Sequence, residues 1–565
     1  MPLQPQVIAH THMVVAGHYL AAQAGFEILE AGGNAVDAGV AAGLALGVLH
    51  SDQVSVAGVA PMLIHMPERD VLVAIAGLGP WPMATDVEAL RRTHGESLQP
   101  GIHRTVVPAA PDAWIKALRL YGTLSFGEVA HQAIRFAHEG FTVHPVMHRF
   151  ISTYRERYRL WPQNEAIYLP DGNVPEIGSR FVQQDLAASL QYMADEEAAA
   201  AGNGREAGLQ AARDAFYRGD IARRMVRFQE ENGGWLSQAD LDAYDSPVEA
   251  PLARRFMGRT IYSCGPWCQG PSLLQMLAVL DGSGHADLAH NCAESLHLIA
   301  ESIKLAFADR EAFYTDPALA DVPMDRLLSD AYAAERRALI DPERAFAGLP
   351  PAGDGRVTPT GARAAGDPGL AADTSYCCAV DRHGNVFSAT PSDVSFDSPI
   401  VPGLGFPPSA RGSQSRLDPA HPACAAPGKR PRLTPNPALA LDGRDWAMPF
   451  GAPGGDAQPQ GMLQVLLNHL VHGMEIQEAI EAPRLSTFSQ PDSFAPHQAH
   501  PGRVELEGRI PETVRAALAA KGHDARRGED FAANVAGVCA ISADFRRGRI
   551  AGGADPRRSG RAIGW

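Results

Sequence analysis

The chain has 565 residues, 45% of them hydrophobic and 20% charged, with a formal net charge of −15. That is ample for a large packed core or about two to three domains, and charges of both signs without a basic stripe exclude a sequence-independent nucleic-acid partner. Seven scattered cysteines argue against a disulfide framework. Cys264 and Cys268 lack the spacing of a zinc knuckle and have no matching second pair, so no structural metal is expected. At the N-terminus, His10, His12 and His18 interrupt the apolar residues, and no signal peptide is read. The longest apolar run, residues 38–49, is about half a membrane span. A cytoplasmic protein without a membrane partner is expected.

In chain order, residues 17–52 read as helix, turn, helix. Gly32-Gly33 ends the first helix, and Asn34 caps the second with Asp37 at its third position. The second helix is apolar nearly all round, which predicts burial. Two strands follow around a turn at Pro67–Asp70. Residues 108–345 carry apolar residues at three- and four-residue spacing and read as mostly helical, with one strand in "RRFMGRTIYSC" and an exposed helical stretch over 195–215. Residues 350–373 read as a loose linker. Beyond it strands dominate, at 374–380, 386–390, 437–441, 446–450 and 537–542, with two intervening helices. A helix-rich block followed by a strand-rich block predicts an α+β layered architecture.

The linker runs straight into Asp373-Thr374. Taken alone, Thr374 is a β-former opening a strand. It is also where self-cleavage would create a nucleophile. A threonine at a new N-terminus supplies both a hydroxyl and, in its own α-amine, the base that activates it. That amine has a pKa of about 7.7–8.0, so a good fraction is neutral near pH 7.

The chain resembles the γ-glutamyltranspeptidase (glutathione hydrolase) family of N-terminal nucleophile (Ntn) hydrolases. The resemblance runs through "AGGNAVDAGVAAGLALGV", "DAFYRGDIARRMVRFQEENGGWLSQADLDAY", "AESIKLAFADREAFYTDP", "DTSYCCAVDRHGNVFSAT", "GKRPRLTPNPALAL" and "GAPGGDAQPQGMLQVLLN", in order and over nearly the whole chain. It implies a four-layer αββα sandwich built jointly by both halves. It implies self-cleavage at Asp373–Thr374 into a large subunit, 1–373, and a small subunit, 374–565, that stay associated. It further implies Thr374 as nucleophile, Gly454 and Gly455 as oxyanion donors, and Ser392, or the neighbouring Asp393, as the hydroxyl position that orients the nucleophile. Thr434 falls on a serine that contacts the substrate carboxylate in the family, and Leu433 replaces the serine before it. No cofactor is implied, since nucleophile, base and oxyanion donors all come from the chain. A higher homo-oligomer is compatible with the sequence.

The chain departs from the family where the γ-glutamyl head group binds. No arginine lies between Asp70 and Leu90 to clamp an α-carboxylate. The glycine-rich family motif is eroded to "VSVAGVAPM". "PPSARGSQS" puts Arg411 and Gln414 where the family has groups that bind an α-ammonium, and a cation at 411 would repel one. Arg411, Gln414 and Asp456 are therefore pocket candidates, with a solvated surface role open for Arg411. These losses point to hydrolysis of a small-molecule amide whose acyl part lacks a free α-ammonium, as in family members acting on dicarboxylic amides. The competing readings are a γ-glutamyl hydrolase or transferase with a substitute clamp, and an uncleaved binding protein.

Overall fold

The computed structural model describes residues 2–357 and 374–565. Asp373 and most of the expected linker therefore lie outside the described residues. Residues 350–356 are tied to the body rather than loose. Arg336 donates to Pro351 O at 2.9 Å, Arg326 to Gly353 O at 3.0 Å, and Gly353 N to Asp309 at 3.0 Å. A proline- and glycine-rich composition did not reveal these remote partners.

Helices Tyr19–Glu30 and Ala35–Leu49 form as expected. Asn34 and Asp37 make a reciprocal capping box, and every residue of the second helix is buried. Its one charge, Asp37, is satisfied by Asn34 N (2.9 Å), Thr123 N (2.9 Å), Thr123 Oγ1 (2.7 Å) and Leu124 N (3.2 Å). Asp37→Ala strands these donors in a buried place. It is expected to cost about 3 kcal/mol or more and to lower the denaturation midpoint in urea, with Asp37→Asn losing less.

Two seven-stranded sheets form the centre. One runs Val7–Ala9, Arg549–Ala554, Cys539–Asp544, Trp446–Gly451, Ala438–Asp442, Arg259–Ser263, Leu252–Phe256. The other runs Arg561–Gly564, Met13–Ala16, Cys377–Val380, Val386–Ala389, Met62–Met66, Val71–Ile75, Val248–Glu249. Adjacent strands in both are antiparallel. The period of two along each strand builds the layers. Val15, Leu63, Cys378 and Val380 meet Leu439, Ala447 and Ile541 in a core between the sheets. Val14, Ile64 and Ala379 turn the other way, onto the helices that include Ala35–Leu49 and Phe126–Glu139. Ala440, Met448 and Ala540 pack under Gly270–Leu280, Ala293–Phe313 and Gln458–Leu470. The layers are helix, sheet, sheet, helix, and each sheet draws strands from both sides of residue 374.

Two sequence expectations are corrected. The segment 252–263 is a hairpin of two strands, turned by Met257 (φ +48°) and Gly258 (φ +77°), a left-handed pair that fits a tight hairpin turn. The alanine-rich stretch is helical but not exposed throughout. Helix Arg205–Tyr217 buries Leu209, Ala212 and Phe216, because its few large apolar residues fall on one face. Among the described residues no helix is long and apolar enough to cross a membrane.

Candidate active site

The strand expected from residue 374 begins at Cys377, and Thr374 stands just ahead of it in another conformation. Its φ is +79°, left-handed for a β-branched residue. Such a geometry costs on the order of 1–3 kcal/mol and persists only where its surroundings impose it. Thr374 N donates to Gln53 O at 3.1 Å, and Ser375 N to Pro391 O at 2.9 Å. Thr374 Oγ1 lies 2.6 Å from Ser392 Oγ and 3.4 Å from Gln458 Nε2, which donates to it. Of the two neighbours at the expected second hydroxyl position, Ser392 is the one that touches Thr374. Asp393 points elsewhere: it accepts from Ser409 Oγ at 2.6 Å and Ala410 N at 3.3 Å. Burial pushes the Asp393 carboxyl up to about 6, against the lowering pull of Arg411.

Arg411 is not on the surface. It is 1% exposed, donates to Ser392 Oγ, and lies 3.7 Å from Asp393 Oδ2. Its guanidinium sits over the Phe494 ring, 5.6 Å from the centroid. Gln414 and Thr434 form a buried pair: the Gln414 amide donates to Thr434 Oγ1 at 2.7 Å and accepts from Thr434 N at 3.2 Å.

Gly454 and Gly455 end the strand–loop before helix Gln458–Leu470. Their φ values are +125° and +54°, and the first in particular favours glycine. Among the described residues neither N–H has a backbone acceptor outside regular structure, which suits both for a developing oxyanion. The loop is held from behind. Gln269 Nε2 donates to Gly455 O at 2.8 Å and to Thr434 O at 2.9 Å, and Gln269 Oε1 accepts from Arg310 at 2.9 Å. Arg310 also pairs with Asp456 at 2.5 Å, and Asp456 accepts from Ser493 N at 2.8 Å. Asp456 lines the cavity beside this loop, with its carboxylate committed to Arg310 and Ser493.

A cavity of about 230 Å³ opens beside this glycine pair. Its walls include Tyr154, Phe396, Asp456, Phe488 and Phe494. Arg157 brings the one guanidinium among the lining residues, bonded at 2.7 Å to Asp397, which Arg104 also binds at 2.6 Å. Thr374, Ser392, Arg411, Gln414, Thr434 and Asp393 are buried and are not among the residues that line this cavity. Sequence reasoning missed Gln53, Arg157, Gln269, Arg310 and Gln458. Only Arg310 and Gln458 lie inside recognised motifs, and nothing there separated them from structural residues.

Away from this site, His297, Glu301 and His523 bring ligand-type atoms within 4.8 Å of one another. The Lys304 ammonium, 2.7 Å from Glu301, already supplies a cation there.

The γ-glutamyltranspeptidase family model matches residues 21–565. The chain belongs to this family. It is 34% identical over 529 residues to the Acylase ACY 1 proenzyme of Pseudomonas sp. (strain SE83), covering 90% of this chain and 86% of that one. It is 31% identical over 568 residues to the Oxamate amidohydrolase proenzyme of Klebsiella pneumoniae subsp. pneumoniae, covering 98% and 99%. The crystal structure of cephalosporin acylase from Bacillus halodurans superposes with a TM-score of 0.85 at 29% identity, covering 100% of this chain and 97% of that one. The αββα sandwich is therefore that of the Ntn hydrolases, and this member of the γ-glutamyltranspeptidase family is an amidohydrolase.

Proposed function

We propose that the chain is a self-cleaving threonine amidohydrolase whose acyl substrates lack an α-ammonium group. In processing, Thr374 Oγ attacks the Asp373 carbonyl and the amide becomes an ester. Water then cleaves the ester, leaving the Asp373 carboxylate at the end of subunit 1–373 and the Thr374 amine at the start of subunit 374–565. In turnover that amine takes the Thr374 hydroxyl proton as Oγ attacks the substrate amide. The oxyanion is met by the Gly454 and Gly455 N–H groups, and the ammonium returns its proton to the leaving amine. Water, or an acceptor amine, resolves the ester by the same base. Ser392 orients the nucleophile, and the left-handed φ of Thr374 supports strain at the bond to be cut.

The observation that carries the specificity is the buried Arg411 guanidinium, one hydrogen bond from Ser392, itself one hydrogen bond from Thr374. Two like charges about 6 Å apart repel by about 3 kcal/mol at an effective dielectric of ~20, near a ~100-fold penalty. An α-ammonium beside the nucleophile is disfavoured, and a dicarboxylic acyl group is favoured. Gln414, Thr434 and Asp393 then support the buried surroundings of Arg411 rather than forming an ammonium cage. Glutaryl-p-nitroanilide and γ-glutamyl-p-nitroanilide form a natural pair of probes, since both carry the distal carboxylate and the second adds only an α-ammonium to the same five-carbon acyl chain. The glutaryl amide is expected to show at least ~30-fold higher kcat/KM, and Arg411→Gln to narrow that ratio about tenfold. Equal or faster γ-glutamyl turnover by the wild type would contradict the proposal.

A further inference from the structure

Behind the nucleophile, the helix Ala35–Leu49 runs into a tight turn, His50–Gln53. Gln53 N donates to His50 O at 2.7 Å. The Gln53 carbonyl then accepts two N–H groups, from Thr374 and from Asp393, each at 3.1 Å. These two residues have left-handed φ, +79° and +133°, and Asp393 adjoins Ser392. One backbone oxygen therefore ties the nucleophile to the loop that carries its hydroxyl partner.

At the other end of the turn, the His50 ring is wedged between two serines. Nδ1 lies 3.1 Å from Ser375 Oγ and Nε2 lies 3.2 Å from Ser559 Oγ. The Ser559 hydroxyl gives its single proton to Gly17 O at 2.9 Å, so its oxygen accepts from the ring. The ring proton is then on Nε2, and Nδ1 accepts from Ser375. Burial holds His50 well below the ordinary imidazole range, helped by His144, His18 and Arg558, so the ring stays neutral. Gly17 closes the cradle: a Cβ there would strike Ser375 Oγ.

We propose that the His50–Gln53 turn is the positioning element for the α-amine of Thr374. His50 fixes Ser375, and the Gln53 carbonyl takes one N–H of the amine. A neutral primary amine otherwise rotates freely about its Cα–N bond. One fixed acceptor restricts that rotation and raises the share of orientations in which the lone pair faces Thr374 Oγ. His50 and Ser375 do not touch the acyl group, so they act through Thr374. The proposal rests on Thr374 being the nucleophile.

Ser375→Ala, His50→Ala and His50→Gln in the full chain test it. Ser375→Ala and His50→Ala are expected to lower kcat on glutaryl-p-nitroanilide at least tenfold, with KM within twofold, and to slow self-cleavage. The carbonyl accepts from the amine's charged form and so raises its pKa. Loosening that contact lowers the amine pKa, and the acid limb of kcat/KM moves to lower pH. Glutamine can donate to Ser559 and accept from Ser375, so His50→Gln recovers part of the loss. A folded Ser375→Ala enzyme with wild-type kcat and an unmoved acid limb overturns this proposal while leaving the nucleophile in place. An active Thr374→Ala enzyme overturns the nucleophile reading and this proposal with it.

Discussion

Thr374→Ala leaves the chain whole and its amidase activity gone. In the proposed mechanism the same hydroxyl cuts the chain and attacks the substrate, so its loss should remove both at once. A fall of at least ~10⁴-fold in kcat/KM is expected, since no other hydroxyl in the site also carries a free amine. Thr374→Ser keeps hydroxyl and amine. It should still cleave, with turnover within about 10–100-fold of wild type. Its cleavage should be slower, because a residue without β-branching stores less strain at φ +79°. Strain in the φ of Thr374 vanishes when the peptide bond before it is cut, so it favours processing without burdening the mature enzyme. Denaturing gels and N-terminal sequencing of each variant would read both effects. An alanine variant that still splits before residue 374 would contradict the role given to its hydroxyl.

Gln269→Ala is expected to lower kcat by about 10²–10³-fold with little change in KM. The Gln269 amide holds the Gly455 and Thr434 carbonyls together and is itself held by Arg310. Without it the Gly454–Gly455 loop loses the fixed aim of its N–H groups, which matters only as charge develops on the substrate oxygen. Arg310→Met is the harsher change. It leaves Asp456 and Glu311 with one cationic partner fewer and is expected to cost about 3–5 kcal/mol of stability. Steady-state kinetics on Gln269→Ala, with its melting curve measured alongside, separates a catalytic loss from unfolding. A wild-type kcat would show that the glycine pair holds its shape unaided.

Much of the frame was legible because it follows from local rules. The Asn34–Asp37 cap, the strands on either side of Asp381–Asn385 and the turn at Pro67–Asp70 depend on residues close in sequence. The resemblance then brought Thr374, Ser392 and the glycine pair together, and the structure sets Thr374 against Ser392. What escaped depends on contacts across hundreds of residues. Arg411 read equally well as a surface charge, because periodicity says nothing of which remote loop covers a side chain. The strand start at Thr374 was misplaced because strand propensity cannot see a left-handed φ at a residue whose N–H is bound by the remote Gln53 carbonyl. The Gln53 carbonyl was beyond reach in principle, since a backbone oxygen leaves no mark on residue identity. Arg157 and Asp397 lie 240 residues apart and meet only at the cavity wall.

Mass spectrometry under denaturing conditions would reveal an acyl-transferring threonine exposed by self-cleavage. Purified protein would be measured before and after a brief, acid-quenched incubation with glutaryl-p-nitroanilide. Two fragments split before Thr374 are expected, with one glutaryl group on Thr374 of the small one after incubation. A single intact chain, or an acyl group found on the large fragment, would contradict this mechanism.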